Sequence, residues 1–372
     1  MIMNKKNRLS VAMIVRNEEA TISRALRSVS PIAMEMIVLD TGSTDSTRSI
    51  ALSEGAFVYD YTWTDDFSSA RNASLEHASG EWILVLDADE WLEPSAANKI
   101  EALIHGPTDR AFYLVQKNVD SSGTVLRNSM ARLFPNNRGI RYCHRVHEDA
   151  IPSIVKAGIP IIHSGIEFGH SGYTDSQRVT QKVARNKAII ESSLVAPSAS
   201  EAHMRFNLGV ILVGEGNFVG AASQFEWCMA YAESNDLIVK MSRLRCSECY
   251  YQKREYEKAL ELLPKVPTAD THPVALFLAA CILYKQDPQA ALPWLECLLA
   301  APDMAWVPPT PTPSIKAAAM PLLGRYWLNA GQPEITRQIL VLASQIKSGA
   351  IDASTPELIN RYRDIVSTRQ SN

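Results

Sequence analysis

Over residues 9–87 short apolar runs take turns with segments of helical period, and this alternation constrains the fold more than any other property of the chain. Leu9–Val15 reads as a strand, after which residues 18–29 place Ile22, Ala25, Leu26 and Val29 on one helical face. Residues 36–40 read as a second strand and 44–53 as a helix. Residues 57–61 read as a third strand, 68–78 as a helix and 82–87 as a fourth strand. Strands separated by helices predict βαβ units and a mostly parallel sheet covered on both faces. In such sheets ligands bind beyond the carboxyl ends of the strands. Those ends carry Arg16-Asn17-Glu18-Glu19, then Asp40 to Asp45, then Asp87 to Glu90. One end of the sheet is therefore loaded with carboxylates, which the fold alone does not require.

From Ser176 onward the pattern turns helical throughout, so the expected domains are residues 1–175 and 176–372. Leu208-Gly209, Leu212, Gly216, Phe218, Ala221 and Phe225 set out a pattern of small and large residues. It returns in Cys246-Ser247, Tyr250, Tyr256, Ala259 and Leu263, and again in Leu278-Ala279, Ile282, Ala291 and Leu295. A fourth copy has Leu323-Gly324, Trp327, Gly331, Thr336 and Leu340. Small residues where helices cross, large ones nearby and a turn between describe paired antiparallel helices, and the spacing of about 32 to 45 residues fits a helical solenoid. The copies resemble degenerate tetratricopeptide repeats. The proline-rich residues 307–313 read as a surface loop interrupting the array.

Composition narrows the function. With 46% hydrophobic and 21% charged residues in 372, the chain suits two globular domains. A net charge of −3 gives no basic field for nucleic acid. No apolar stretch reaches the length of a membrane span, and the polar start is no signal peptide. The six cysteines lack zinc spacing, Cys246 and Cys249 included. They read as reduced core thiols, and a cytoplasmic location is expected.

The run Trp82-Ile83-Leu84-Val85-Leu86 ends on Asp87-Ala88-Asp89. Carboxylates at the end of a buried strand call for neutralisation, which a hard divalent cation carrying a diphosphate supplies. Asp40 closes the second strand in the same way, placed to accept hydrogen bonds from a nucleobase imide. A structural reading stands beside it, with Thr44 or Asp45 as a helix cap and Gly42 as a turn residue. Together with Asn17-Glu18-Glu19, these motifs resemble the family 2 glycosyltransferases of GT-A fold, over about residues 10–92. The string Asp66-Phe67 to Arg71-Asn72 resembles members of that family that carry tetratricopeptide repeats.

The resemblance implies a metal-dependent, inverting glycosyltransferase, a hexosyl- or N-acetylhexosaminyltransferase, using a nucleotide-diphospho sugar, UDP-sugar favoured. Asp40 would then contact the base, and Glu18 or Glu19 the ribose or base. Asp89 would bind Mn²⁺ or Mg²⁺ directly, while Asp87 would hold the ribose or reach the metal through water. Arg71 is placed to pair with diphosphate or with Asp40, although Ser68 capping its helix is the structural alternative. Arg132 would meet acceptor or diphosphate, unless it is a surface arginine on a strand. An inverting transfer needs a general base. Glu148 is the first choice and Asp149 the second, both following an expected strand over residues 139–142. The competing structural reading is a turn with an Arg145–Glu148 ion pair. His170, in Phe168-Gly169-His170-Ser171-Gly172-Tyr173, is the candidate third metal ligand, with His163 and His147 as competitors.

The repeats would present a surface to a protein or peptide acceptor, or form a homo-oligomer. A glycan or lipid-linked acceptor in cell-surface polysaccharide synthesis is the first alternative, and a non-catalytic repeat scaffold the second. A nucleotidyltransferase falls behind, because its glycine-rich basic loop is replaced here by Arg16-Asn17-Glu18-Glu19.

Overall fold

A computed structural model of the protein describes residues 8–119, 125–171, 176–194, 201–232, 237–268, 270–302, 312–348, 350–353 and 355–367. The chain divides into two compact units, Met1–Met204 and Arg205–Asn372.

The first unit runs β1 (Leu9–Val15), α1 (Ile22–Val29), β2 (Glu35–Asp40), α2 (Thr47–Ser53), β3 (Phe57–Asp60), α3 (Phe67–Glu76) and β4 (Trp82–Val85). It continues β5 (Glu90–Trp91), α4 (Pro94–Ile104), β6 (Ala111–Val119), β7 (Val125–Pro135), α5 (Ile151–Lys156), β8 (Ile161–His170) and α6 (Ser176–Ser193). The strands form one mixed sheet in the order β3-β2-β1-β4-β7-β6-β8-β5. The β3-β2-β1-β4 half is parallel, and β7 pairs antiparallel with both β4 and β6. Beyond them β6 and β8 are parallel, and β8 pairs antiparallel with the short β5.

Alternation along the strands builds the two cores. Leu9, Val11, Met13 and Val15 of β1, with Trp82 and Leu84 of β4, face Ile22, Ala25, Leu26 and Val29 of α1 and Ile100 of α4. Ala12, Ile83 and Val85, the residues between, face Leu75 of α3 and Ile154 of α5. Each fully buried Leu, Ile or Val of these layers contributes about 1.5–3 kcal/mol. Since β1 lies between β2 and β4, the chain reverses its direction of winding there. That switch opens a crevice at the carboxyl ends of these three strands.

Two expectations change. Residues 139–142 are not a strand. They follow a 3₁₀ turn at Asn136–Arg138, and Gly139 is left-handed at φ 65°. Asn72 satisfies the backbone at Tyr142 instead, accepting its N–H at 2.8 Å and donating to its carbonyl at 2.9 Å. The division between units also lies later than the change of pattern at Ser176. Helix α6 falls in the first unit, where Lys182 reaches Asp89 and Ser193 accepts from Arg145.

The helix pairs of the second unit are α7 (Glu201–Gly214, whose first turn belongs to the first unit) with α8 (Phe218–Tyr231), α9 (Leu237–Gln252) with α10 (Tyr256–Glu261), and α11 (Pro273–Gln286) with α12 (Pro288–Ala300). The pair α13 (Thr312–Asn329) with α14 (Pro333–Lys347) follows, and then a single α15 (Glu357–Ser367). Gly209 is small for a reason, since a Cβ there would lie 2.6 Å from the Phe225 ring. Gly216 and Gly331 turn the chain between paired helices with φ of 75° and 73°. Of the expected proline-rich loop, residues 307–311 lie outside the described residues, while Thr312 and Pro313 open α13. No helix among the described residues is long and apolar enough to cross a membrane.

Candidate active site

The crevice is built first from backbone. Asn17 leaves β1 in a left-handed conformation (φ 55°), its N–H donating to Ser43 Oγ at 3.0 Å and its side-chain oxygen accepting the Thr44 N–H at 2.8 Å. The Glu18 N–H donates to Thr47 Oγ1 at 2.7 Å, and the Glu19 carboxylate accepts the Ser46 N–H at 3.0 Å. The acidic string thus clamps the loop after β2. The N-cap of α2 is Ser46, not Thr44 or Asp45, although Asp45 accepts the Thr47 N–H at 3.0 Å.

Asp40 is 3% exposed and accepts from the Ser43 N–H at 3.0 Å, from the Ser43 hydroxyl at 2.6 Å and from Arg48 Nη1 at 3.2 Å. Arg48 also pairs with Asp60. The arginine beside Asp40 is therefore Arg48, at the start of the helix following its own strand, and not Arg71.

Arg71 sits one turn into α3, a helix capped by Asp66, which accepts the Ser69 N–H at 3.0 Å. Ser68 does not cap it. Its hydroxyl donates to Asp66 at 2.7 Å. On the buried side of α3, Arg71 gives Nε to Glu148 Oε1 at 2.6 Å and Nη2 to Asp87 Oδ1 at 2.7 Å. The other Asp87 oxygen accepts Arg132 Nη2 at 2.9 Å, and the same nitrogen lies 3.1 Å from Glu90 Oε1. Arg132 is a buried member of this network, not a surface residue. Burial opposes ionisation of Asp87, but the two guanidinium groups outweigh it and hold its carboxyl well below the usual range. Burial, opposed by Arg132 and reinforced by Asp87, pushes Glu90 the other way, up to about 7.

Asp89 forms the second half of the site. Its Oδ2 lies 3.3 Å from His170 Nε2 and 3.4 Å from Lys182 Nζ. Burial favours neutral His170, but the Asp89 carboxylate prevails and raises its pKa. Of the competing histidines, His163 stacks on Tyr113 at 4.7 Å, and His147 lies next to Glu148 in a left-handed conformation (φ 54°). Gly172 and Tyr173 lie outside the described residues. An aspartate oxygen with an imidazole nitrogen suits Mn²⁺. No group of three or more His, Cys, Asp or Glu side chains placed to hold a metal ion occurs among the described residues. Protein side chains therefore offer part of a coordination shell.

Glu148 and Asp149 follow a strained turn in which His144 and His147 are both left-handed. Arg145 does not pair with Glu148. It donates to the Asp65 carbonyl and to Ser193 Oγ, each at 3.2 Å. Asp149 accepts the Ile151 N–H at 2.9 Å at the start of α5, and burial pushes its carboxyl up. Three buried donors of the cluster, Arg71 Nη1, Arg132 Nε and the Tyr142 hydroxyl, have no hydrogen-bond partner among the described residues.

Arg48, Gln116, Asn118 and Lys182 join the site without having been expected there, and Glu90 joins it as a buried partner of Arg132. Gln116 and Asn118 did leave a signal, polar residues two apart at the end of the apolar run that makes β6.

The sheet order and the carboxylate-lined switch point define an α/β domain with a ligand crevice at its strand ends. Residues 10–153 match the family model described as Glycosyl transferase family 2. The first unit thus resembles a family 2 glycosyltransferase domain over those residues, and a helical repeat region follows it. A TPR repeat-containing protein of Synechococcus elongatus is 33% identical over 225 residues, 57% of this chain and 54% of that protein. The SPbeta prophage-derived glycosyltransferase SunS of Bacillus subtilis is 29% identical over 195 residues, 50% of this chain and 45% of that protein. The chain thus spans about half the length of the curated relatives it matches. Among solved structures, glucosyl-3-phosphoglycerate synthase of Mycobacterium tuberculosis, in complex with Mn²⁺, uridine-diphosphate and phosphoglyceric acid, aligns with a TM-score of 0.37 at 19% identity. That alignment covers 53% of this chain and 81% of that one.

Proposed function

We propose that the first unit transfers a sugar, with inversion, from a nucleoside-diphosphate sugar to an acceptor presented by the helical repeats, and that it needs a divalent cation to do so. The observation that carries this reading is the convergence of Asp89 with His170 (3.3 Å) at the same crevice as the Arg71–Asp87–Arg132 network. Asp89 Oδ2 and His170 Nε2 would hold Mn²⁺ or Mg²⁺, which would neutralise the diphosphate as it leaves. Asp87 takes a different part. With a guanidinium on each oxygen it is a charge-balanced anchor that keeps Arg71 and Arg132 fixed. The donors those arginines and Tyr142 leave over suit oxygens of the donor sugar.

Asp40 marks the base end of the crevice, with the Asn17, Glu18 and Glu19 clamp beside it, and uracil is the base we favour. Lys182 and Arg185, three residues apart on α6, bring positive charge to the crevice. Lys182 bonds Asp89, and Arg185 lies over the Phe67 ring at 4.8 Å, close enough to Arg16 that their charges repel. Glu148, held at one oxygen by Arg71, would take the acceptor's proton. Asp149 is second, because its carboxylate already serves the start of α5. For the acceptor a protein or peptide is favoured, since paired helices in series offer an extended surface for one.

A thermal-shift panel of UDP-, GDP-, CMP- and dTDP-sugars, with and without Mn²⁺, tests the donor site beside Asp89→Asn. The expected outcome is a Mn²⁺-dependent rise in Tm with one nucleotide, lost in Asp89→Asn while the Tm of the unliganded protein stays nearly the same. A folded, fully active Asp89→Asn would remove the metal from the mechanism.

A further inference from the structure

Gln116 and Asn118 are buried amides with no place in the chemistry above, yet they lie between Glu90 and His170. Both point to one face of β6, since residues two apart on a strand share a face. The parallel register of β6 with β8 sets Asn118 opposite His170, and the antiparallel register of β5 with β8 sets Glu90 opposite the same histidine. A chain of hydrogen bonds results. Gln116 Nε2 donates to Glu90 Oε1 at 2.6 Å, Asn118 Nδ2 donates to Gln116 Oε1 at 3.1 Å, and Asn118 Oδ1 lies 2.6 Å from His170 Nδ1.

The direction of this chain has a chemical consequence. Glu90 accepts from three donors: Gln116 Nε2 and Arg132 Nη2 at Oε1, and the Asp87 N–H at Oε2. An amide that gives its NH₂ to Glu90 turns its carbonyl toward the next amide, which must do the same. At the far end a carbonyl oxygen faces His170 Nδ1, so that nitrogen carries the proton. In the neutral ring Nε2 is then left with its lone pair toward Asp89.

We propose that Glu90, Gln116 and Asn118 are positioning residues that fix His170 in its Nδ1–H tautomer and so aim the Nε2 lone pair at a divalent cation held with Asp89. The proposal rests on the metal-dependent reading above. It assigns a purpose to three buried polar groups in a part of the sheet where apolar residues would pack at lower desolvation cost.

The test uses the full chain labelled with ¹⁵N-histidine. Long-range ¹⁵N–¹H spectra at pH 8 distinguish the two tautomers, and His170→Asn assigns the resonance. Mn²⁺ affinity is read separately by electron paramagnetic resonance. Wild type should show Nδ1–H at His170. Asn118→Leu and Gln116→Leu should shift the ring toward Nε2–H and weaken Mn²⁺ binding about 10- to 100-fold. Asn118→Asp, which keeps an acceptor at that place, should retain the tautomer. An Nε2–H tautomer in wild type overturns the relay with no variant needed, as does unchanged tautomer and affinity in both leucine variants. Wild type with the Nδ1–H tautomer but no Mn²⁺ binding sinks the metal reading and leaves the relay as a purely structural device.

Discussion

Arg71 spans Glu148 and Asp87 with two different nitrogens, so its removal strands two carboxylates at once. Arg71→Ala should cost about 3–5 kcal/mol in urea melts, because breaking a buried ion pair leaves uncompensated charge. Arg71→Lys should recover only part of this, since one ammonium cannot reproduce the geometry of the guanidinium fork. Glu148→Gln should leave donor binding intact and slow transfer by about 100-fold or more, judged by donor titration beside acceptor turnover. Weakened donor binding with turnover unchanged at saturating donor would make Glu148 a brace for Arg71. At this scale the sequence was readable where chemistry dictates residue type. The carboxylates Asp87 and Asp89 stood out because such groups are costly at strand ends, whereas His170 came from the family resemblance alone. Their partners did not. Arg48 looked like any polar helix residue, and Glu90 like one more acid in a short acidic string. Only the register of three strands shows Glu90 to be buried among Arg132, Gln116 and the Asp87 N–H.

Among the elements, the turn from Cys143 to Asp149 carries the proposed base, and two histidines hold it from outside the sheet. His144 stacks on His203 at 3.9 Å, and His203 Nε2 lies 3.3 Å from the Val146 carbonyl. Burial is the largest influence on His203 and, with the neighbouring His144 and His147, pushes its pKa down to about 3. An unfolded histidine titrates near 6.5, so the unfolded chain binds the extra proton first. This group's contribution to stability is therefore complete above about pH 6.5 and is lost as pH falls toward 3, at up to about 1.4 kcal/mol per pH unit. Urea melts at pH 7.5 and pH 5 should show the loss, and His203→Phe should flatten it. An equal slope in both proteins would mean that other groups set the acid limit. The elements were legible where period and length agreed, as in α1, whose four buried residues are those expected from spacing. Residues 139–142 misled because an apolar-looking segment took its hydrogen bonds from Asn72, a side chain no local pattern can announce.

For the whole molecule, the change from alternating to helical pattern separated two kinds of structure but not two packed units. Helix α6 has the composition of the second half and lies in the first. A chain ending at Met204 should therefore keep the nucleotide-induced rise in Tm, whereas one ending at residue 175 should lose it with Lys182 and Arg185. A donor shift that survives in the shorter chain would remove α6 from the site. In the second unit the repeat spacing was legible because small residues recur where paired helices cross, as Gly209 does against Phe225. Its internal division was not legible. Helix α9 gives Cys246 and Cys249 to a core shared with Phe206 and Phe225, and Leu244 to the larger core that reaches Tyr362. It serves as a party wall between neighbours, so damage at α9 spreads to both cores, while Tyr362 of α15 serves the larger core alone. Lineages that remodel such an array have very little freedom at α9.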